Sequence, residues 1–173
     1  MKLRPLAASI LLAALSPLTM AADGTLGTTS TGSSVLQMSL PDNVQVLVEK
    51  DVTFTYVQGT ASYTDSIGIC VYHRGVATAA VTLSTGSVDA GNPTAFNMLN
   101  GTNYLPYAVD IDSGSALNTG AKTTGVSAHT TATDCGGAGT YNHQIDVSVT
   151  GADADSVPAG NYSDTLTILV EPT

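Results

Sequence analysis

The chain has 173 residues, of which 43% are hydrophobic and only 11% charged, with five Lys and Arg against fourteen Asp and Glu and a formal net charge of −9. Disordered chains carry more charge and fewer apolar residues, so this composition describes a folded protein solubilised by Thr, Ser, Asn and Gly. An acidic chain with so few basic residues is also a poor partner for nucleic acid or an anionic membrane.

The first predicted element is a secretory leader over residues 1–21. Lys2 and Arg4 precede an apolar run from Leu6 to Leu15, and Pro17 and the small residues Ala21 and Ala22 follow. Basic, apolar and small residues in that order form a signal peptide, with cleavage after Ala21 or Ala22. The run is short of the roughly 20 residues that span a bilayer, so no membrane span is expected in the mature chain. Residues 22–34, "ADGTLGTTSTGSS", form a flexible Gly/Ser/Thr-rich extension in which Leu26 is the only large apolar residue.

A single domain over residues 35–173 follows, and its hydrophobic period is two. Leu36, Met38 and Leu40 alternate, then Val44, Val46 and Val48, then Val52, Phe54 and Tyr56, then Ile67, Ile69 and Val71. Val81 and Leu83, Leu105 to Ile111, and Ile145 to Val149 repeat the habit, with Gly, Asn, Asp, Pro and Ser between them. That is the pattern of short half-buried strands, and no helical stripe competes with it. The expectation is all-β: an antiparallel sandwich, with a closed barrel as the competing solution. Residues 118–139 read as a long loop with one short strand near Val126. Cys70 and Cys135 form one disulfide in an exported protein; two free thiols are the alternative.

A search for chemistry returns little. His73, His129 and His143 lack metal-ligand spacing, and "GVSAH" (Gly125 to His129) lacks the second glycine of a nucleophile elbow. The pairs Asp110/Asp112 and Asp153/Asp155 do not continue into a calcium-loop pattern. No catalytic residue, cofactor or metal is expected. Asn100-Gly101-Thr102 and Asn161-Tyr162-Ser163 match the glycosylation sequon, relevant only in a glycosylating host.

The chain closes on "PAGNYSDTLTILVEP", a turn followed by a strand whose Tyr162, Asp164, Leu166, Ile168 and Val170 share one face. In its Ala159, Gly160, Tyr162, Asp164 and Leu166 this stretch resembles the C-terminal signature of the spore coat protein U family and of subunits of archaic and alternative chaperone-usher pili. "IGICVYHRG", "AVTLSTG" and "FNMLNGTNYLPYAVDIDSG" resemble, in order, the family's cysteine-bearing strand, its next strand and its Leu-x-Tyr strand. The family's usual N-terminal cysteine is missing here, and the aromatic C-terminus is replaced by Glu171, Pro172 and Thr173.

The resemblance implies an immunoglobulin-like sandwich open to being incomplete and completed by donor-strand exchange. It implies a structural subunit of a pilus or coat, exported through the periplasm to the cell surface. Its partners would be other copies or related pilins, a periplasmic chaperone and an outer-membrane usher. Leu26, Leu36 and Met38 would lie on the donor side, and Leu166, Ile168 and Val170 on the acceptor edge. A secreted monomeric module that binds glycan or protein through its loops is the rival reading. A site assembled from His129, Asp134 and His143 is a second.

Overall fold

A computed structural model describes residues 23–173 of the chain, so the expected leader lies outside the described residues. The described residues fall into two units, the first ending at Leu40 and the second running over Pro41–Thr173. In the first, Leu26, Val35, Leu36, Met38 and Leu40 are all exposed, and residues 35–40 form no strand. The alternation predicted a strand there. Strand geometry needs ladder partners, and an isolated apolar alternation does not supply them.

In the second unit the elements run β1 (Val44–Val48), β2 (Ser62–His73), β3 (Thr78–Thr85), β4 (Phe96–Asn100), β5 (Asn103–Ile111), β6 (Lys122–Ser127), β7 (His143–Thr150), α1 (Gly151–Ser156) and β8 (Leu166–Glu171). They build two antiparallel sheets, a five-stranded one ordered β1-β2-β7-β5-β4 and a three-stranded one ordered β6-β3-β8. The fold is the all-β sandwich that the period-two pattern predicts. The short strand near Val126 is β6.

The alternation decides which faces meet. Ile67, Ile69 and Val71 of β2, Val109 of β5 and Ile145 and Val147 of β7 pack in one core with Ala79, Val81 and Leu83 of β3, Val126 of β6 and Phe96 of β4. Each of the Val, Ile, Leu and Phe side chains among them, fully buried, contributes roughly 1.5–3 kcal/mol. Register keeps this parity: Ile67 lies opposite Ile145, and Tyr63 opposite Val149.

Cys70 has the opposite parity on β2, so its side chain leaves the core face. It is disulfide-bonded to Cys135, 65 residues away, with a Cα–Cα distance of 5.8 Å. The bridge pins the loop between β6 and β7 against β2. The Asn142 amide accepts from the Val71 N–H and donates to the Val71 carbonyl (2.8 and 3.0 Å), and His129 N–H donates to the same carbonyl. Gly68 makes room for this cover, since a Cβ there would sit 2.5 Å from the Tyr141 ring. The predicted loop is therefore a structured lid over β2.

The sequence pattern offered no helix, yet Asp153 and Asp155 lie on the short α1. Thr150 caps it, its hydroxyl oxygen accepting from the Asp153 N–H at 3.1 Å.

Candidate functional site

Among the described residues β8 pairs only with β3, through one edge, and β1 pairs only with β2. Beyond β1 come residues 50–56, where the alternation of Val52, Phe54 and Tyr56 predicted another strand. Instead, the backbone of these residues makes no hydrogen bond with any described residue. Side chains hold the segment: Val52 and Phe54 pack on the core, and the rings of Phe54 and Tyr56 lie 6.5 and 6.3 Å from that of Tyr63. The Tyr56 hydroxyl donates to Asp155 at 2.6 Å, which raises its pKa, and Tyr63 brackets Val57 by hydrogen bonds to both its N–H and its carbonyl.

Between these two unpaired edges lies a groove of about 1110 Å³. Its floor is the inner face of the large sheet, with Ile67, Leu105, Val147 and Val149. Val46, Val48, Val52 and Phe54 line one wall, and Leu166 and Ile168 of β8 line the other. Of the residues predicted for the acceptor edge, Leu166 and Ile168 therefore face the groove. Val170 lies outside its lining, opposite Val81 and packed on the core. The predicted donor residues Leu26, Leu36 and Met38 belong to the other unit and are exposed.

The closing turn positions the β8 wall. Gly160 lets the Asn100 amide approach, since a Cβ there would come within 1.8 Å of it and force that side chain to shift. The Tyr162 hydroxyl donates back to the Pro158 carbonyl at 2.8 Å, and Ser163 exchanges two backbone hydrogen bonds with Leu99. The Asp164 carboxylate then accepts from the Thr85 and Tyr107 hydroxyls, each at 2.5 Å. Burial alone would raise the Asp164 pKa, but these hydrogen bonds outweigh it and hold the carboxyl below its ordinary range. The Tyr107 hydroxyl is pushed far up, first by burial and then by its bond to Asp164. Thus the Gly, Tyr and Asp of the closing signature fix the point from which β8 departs along the groove.

The candidate catalytic residues lie elsewhere. The His129 ring accepts from the Ala132 N–H, Asp134 accepts from the Gly136 N–H, and His143 meets Asp112 and Ser127, so the three have separate partners. Pattern reading missed a Ser127, His143 and Asp112 contact. His143 Nδ1 lies 2.6 Å from Asp112, and Nε2 lies 3.0 Å from the Ser127 hydroxyl but 2.7 Å from the Ser127 carbonyl. With the carbonyl nearer than the hydroxyl, the ring serves as a tie between the sheets. Asp112 also accepts from the Gln144 N–H at 2.9 Å; burial would raise its pKa, but these bonds lower it. Asp110 faces Asp146 across β5 and β7, and burial followed by that neighbour raises its pKa. Among the described residues no cluster of three metal-ligating side chains occurs, and no helix is long and apolar enough to cross a membrane.

No protein family profile and no curated protein matches the sequence. Among solved structures, the chain is similar to the CsuC–CsuE chaperone–tip adhesion subunit complex from archaic chaperone-usher Csu pili of Acinetobacter baumannii, at a TM-score of 0.46 and 20% identity over 83% of this chain and 44% of that one. It is similar also to a chaperone–tip adhesin complex of CFA/I fimbriae, at a TM-score of 0.46 and 12% identity over 76% and 43% of the two chains. The chain thus spans less than half the length of either solved chain.

Proposed function

We propose that the protein is an exported structural subunit of a surface fibre or coat that assembles by β-strand addition and performs no catalysis. The observation that carries this reading is the groove flanked by two unpaired backbone edges, residues 50–56 and β8. A single inserted strand can bond to both edges while its alternate side chains fill the apolar floor. An exposed apolar edge of this kind is otherwise an aggregation hazard.

In this reading residues 1–21 direct export and residues 22–34 are a flexible extension that leads into the donor segment. The donor is the N-terminal segment of another copy or a related pilin, with Leu26, Leu36 and Met38 as its plugs. Residues 24–40 contain no charged side chain, which suits a dry groove where an unpaired charge is costly. A periplasmic chaperone and an outer-membrane usher would handle the subunit in transit, as the sequence resemblance implies.

The test is size-exclusion chromatography with light scattering on the mature chain, with and without an excess of a synthetic peptide covering residues 22–40. Concentration-dependent polymers that the peptide dissolves into one-to-one complexes are expected. A monomer at every concentration that ignores the peptide would overturn strand addition and favour a secreted binding module.

A further inference from the structure

The His73 side chain is wholly buried. Its Nδ1 lies 2.5 Å from the Thr78 carbonyl of β3 and its Nε2 lies 2.7 Å from the Asp42 carboxylate. Neither partner has a proton to give, so a ring that satisfies both must donate from both nitrogens and carry a charge. The Thr78 hydroxyl is engaged with Thr173.

His143 provides the contrast. It reaches the Ser127 carbonyl, and Thr78 and Ser127 are register partners on β3 and β6, so two histidines of the large sheet clamp neighbouring carbonyls of the small one. The Ser127 hydroxyl also faces His143 Nε2 and can donate to it, so that ring has a hydrogen-bonded neutral alternative. His73 has none.

Asp42 is the charged group acting on the His73 ring. Arg74 follows in the chain, its N–H donating to the Asn43 carbonyl at 2.9 Å, and the His73 N–H donates to the His129 carbonyl. Asp42 comes two residues after Leu40, where the N-terminal unit ends. The ring therefore joins the small sheet to the root of the N-terminal segment.

We propose that His73 is a proton-operated latch: doubly protonated, it ties Asp42 to the Thr78 carbonyl, and loss of the Nε2 proton frees residues 41–43. Its bearing on assembly rests on the strand-addition reading, since a freed root lengthens the reach of the donor segment. The latch itself does not depend on that reading.

The test uses the mature full-length chain. NMR of the His73 ring nitrogens and hydrogen exchange at the Arg74 amide are followed from about pH 5.5 to about 9. The ring is expected to lose a proton within that range, and Arg74 protection, corrected for intrinsic exchange, to fall about tenfold or more with it. Protection at Ala128, beside Ser127, should stay constant. Asp42→Asn keeps an acceptor but removes the charge, so it should move the His73 midpoint to lower pH. A ring held in one neutral tautomer throughout, or Arg74 protection that ignores the ring, would overturn the latch. Light scattering on the same samples separates the two ideas: a latch that opens in a chain that never associates sinks strand addition alone.

Discussion

β2 and β8 carry the same kind of sequence, an apolar alternation three residues deep, yet they end in different environments. Ile67, Ile69 and Val71 of β2 are buried, flanked by β1, β7 and the edge of the disulfide-bonded loop. Leu166, Ile168 and Val170 of β8 are only partly buried, and Leu169 on its outer face is 51% exposed. The side chains are equally apolar; the number of covering neighbours differs. Alternation states what a strand can bury, and its partners decide what it does bury.

That contrast can be broken most sharply at Ile168. An Ile168→Asp variant should lose association altogether, because an unpaired carboxylate in an apolar strand interface costs several kcal/mol. Thr167→Asp, on the exposed face of β8, should associate normally in the same light-scattering assay; polymers from Ile168→Asp would refute the acceptor wall. On the β2 side, replacing Cys70 and Cys135 together by Ser removes the cross-link that holds the lid. The loss should be roughly 4 kcal/mol in the chain-entropy account, read as a lower Tm, with strand addition retained wherever the variant is folded. Equal melting of the variant and the parent would mean that the lid does not constrain the chain.

A smaller effect is expected where β8 begins. Tyr107→Phe removes one of the hydroxyl donors to Asp164 and should cost about 1.5–3 kcal/mol in denaturant unfolding, as for a hydrogen bond to a charged group. The pH dependence sharpens the same comparison. The Asp164 pKa is lowered on folding, so its stabilisation is present above the ordinary carboxylate value and is lost as pH falls through the folded one. The His73 pKa is raised, above all by the Thr78 carbonyl, with burial opposing and Asp42 assisting. Its contribution is full below about pH 6.5 and is lost as pH rises through the folded value. Melting curves across that upper range should show a small fall in Tm that Asp42→Asn reduces.

Much of this was legible residue by residue. β2, β5, β7 and β8 fall where Ile67, Val109, Ile145 and Ile168 alternate, and the export context joined Cys70 to Cys135. The segments 35–40 and 50–56 have the same alternation but form no strand, because neither has a described ladder partner. The closing Gly, Tyr and Asp could be quoted as a signature, but their work on Asn100, Pro158, Thr85 and Tyr107 could not be read from it.

By itself the sequence determined the β class, the parity of each strand, and the position of its turns, because side-chain alternation and turn chemistry act over a few residues. Only the tertiary structure decided that β8 and residues 50–56 face one another across an open groove, and that His73 meets Asp42 and Thr78. Those arrangements join positions far apart in the chain, and which sheet edges stay unpaired depends on the whole set of strands rather than on any one of them.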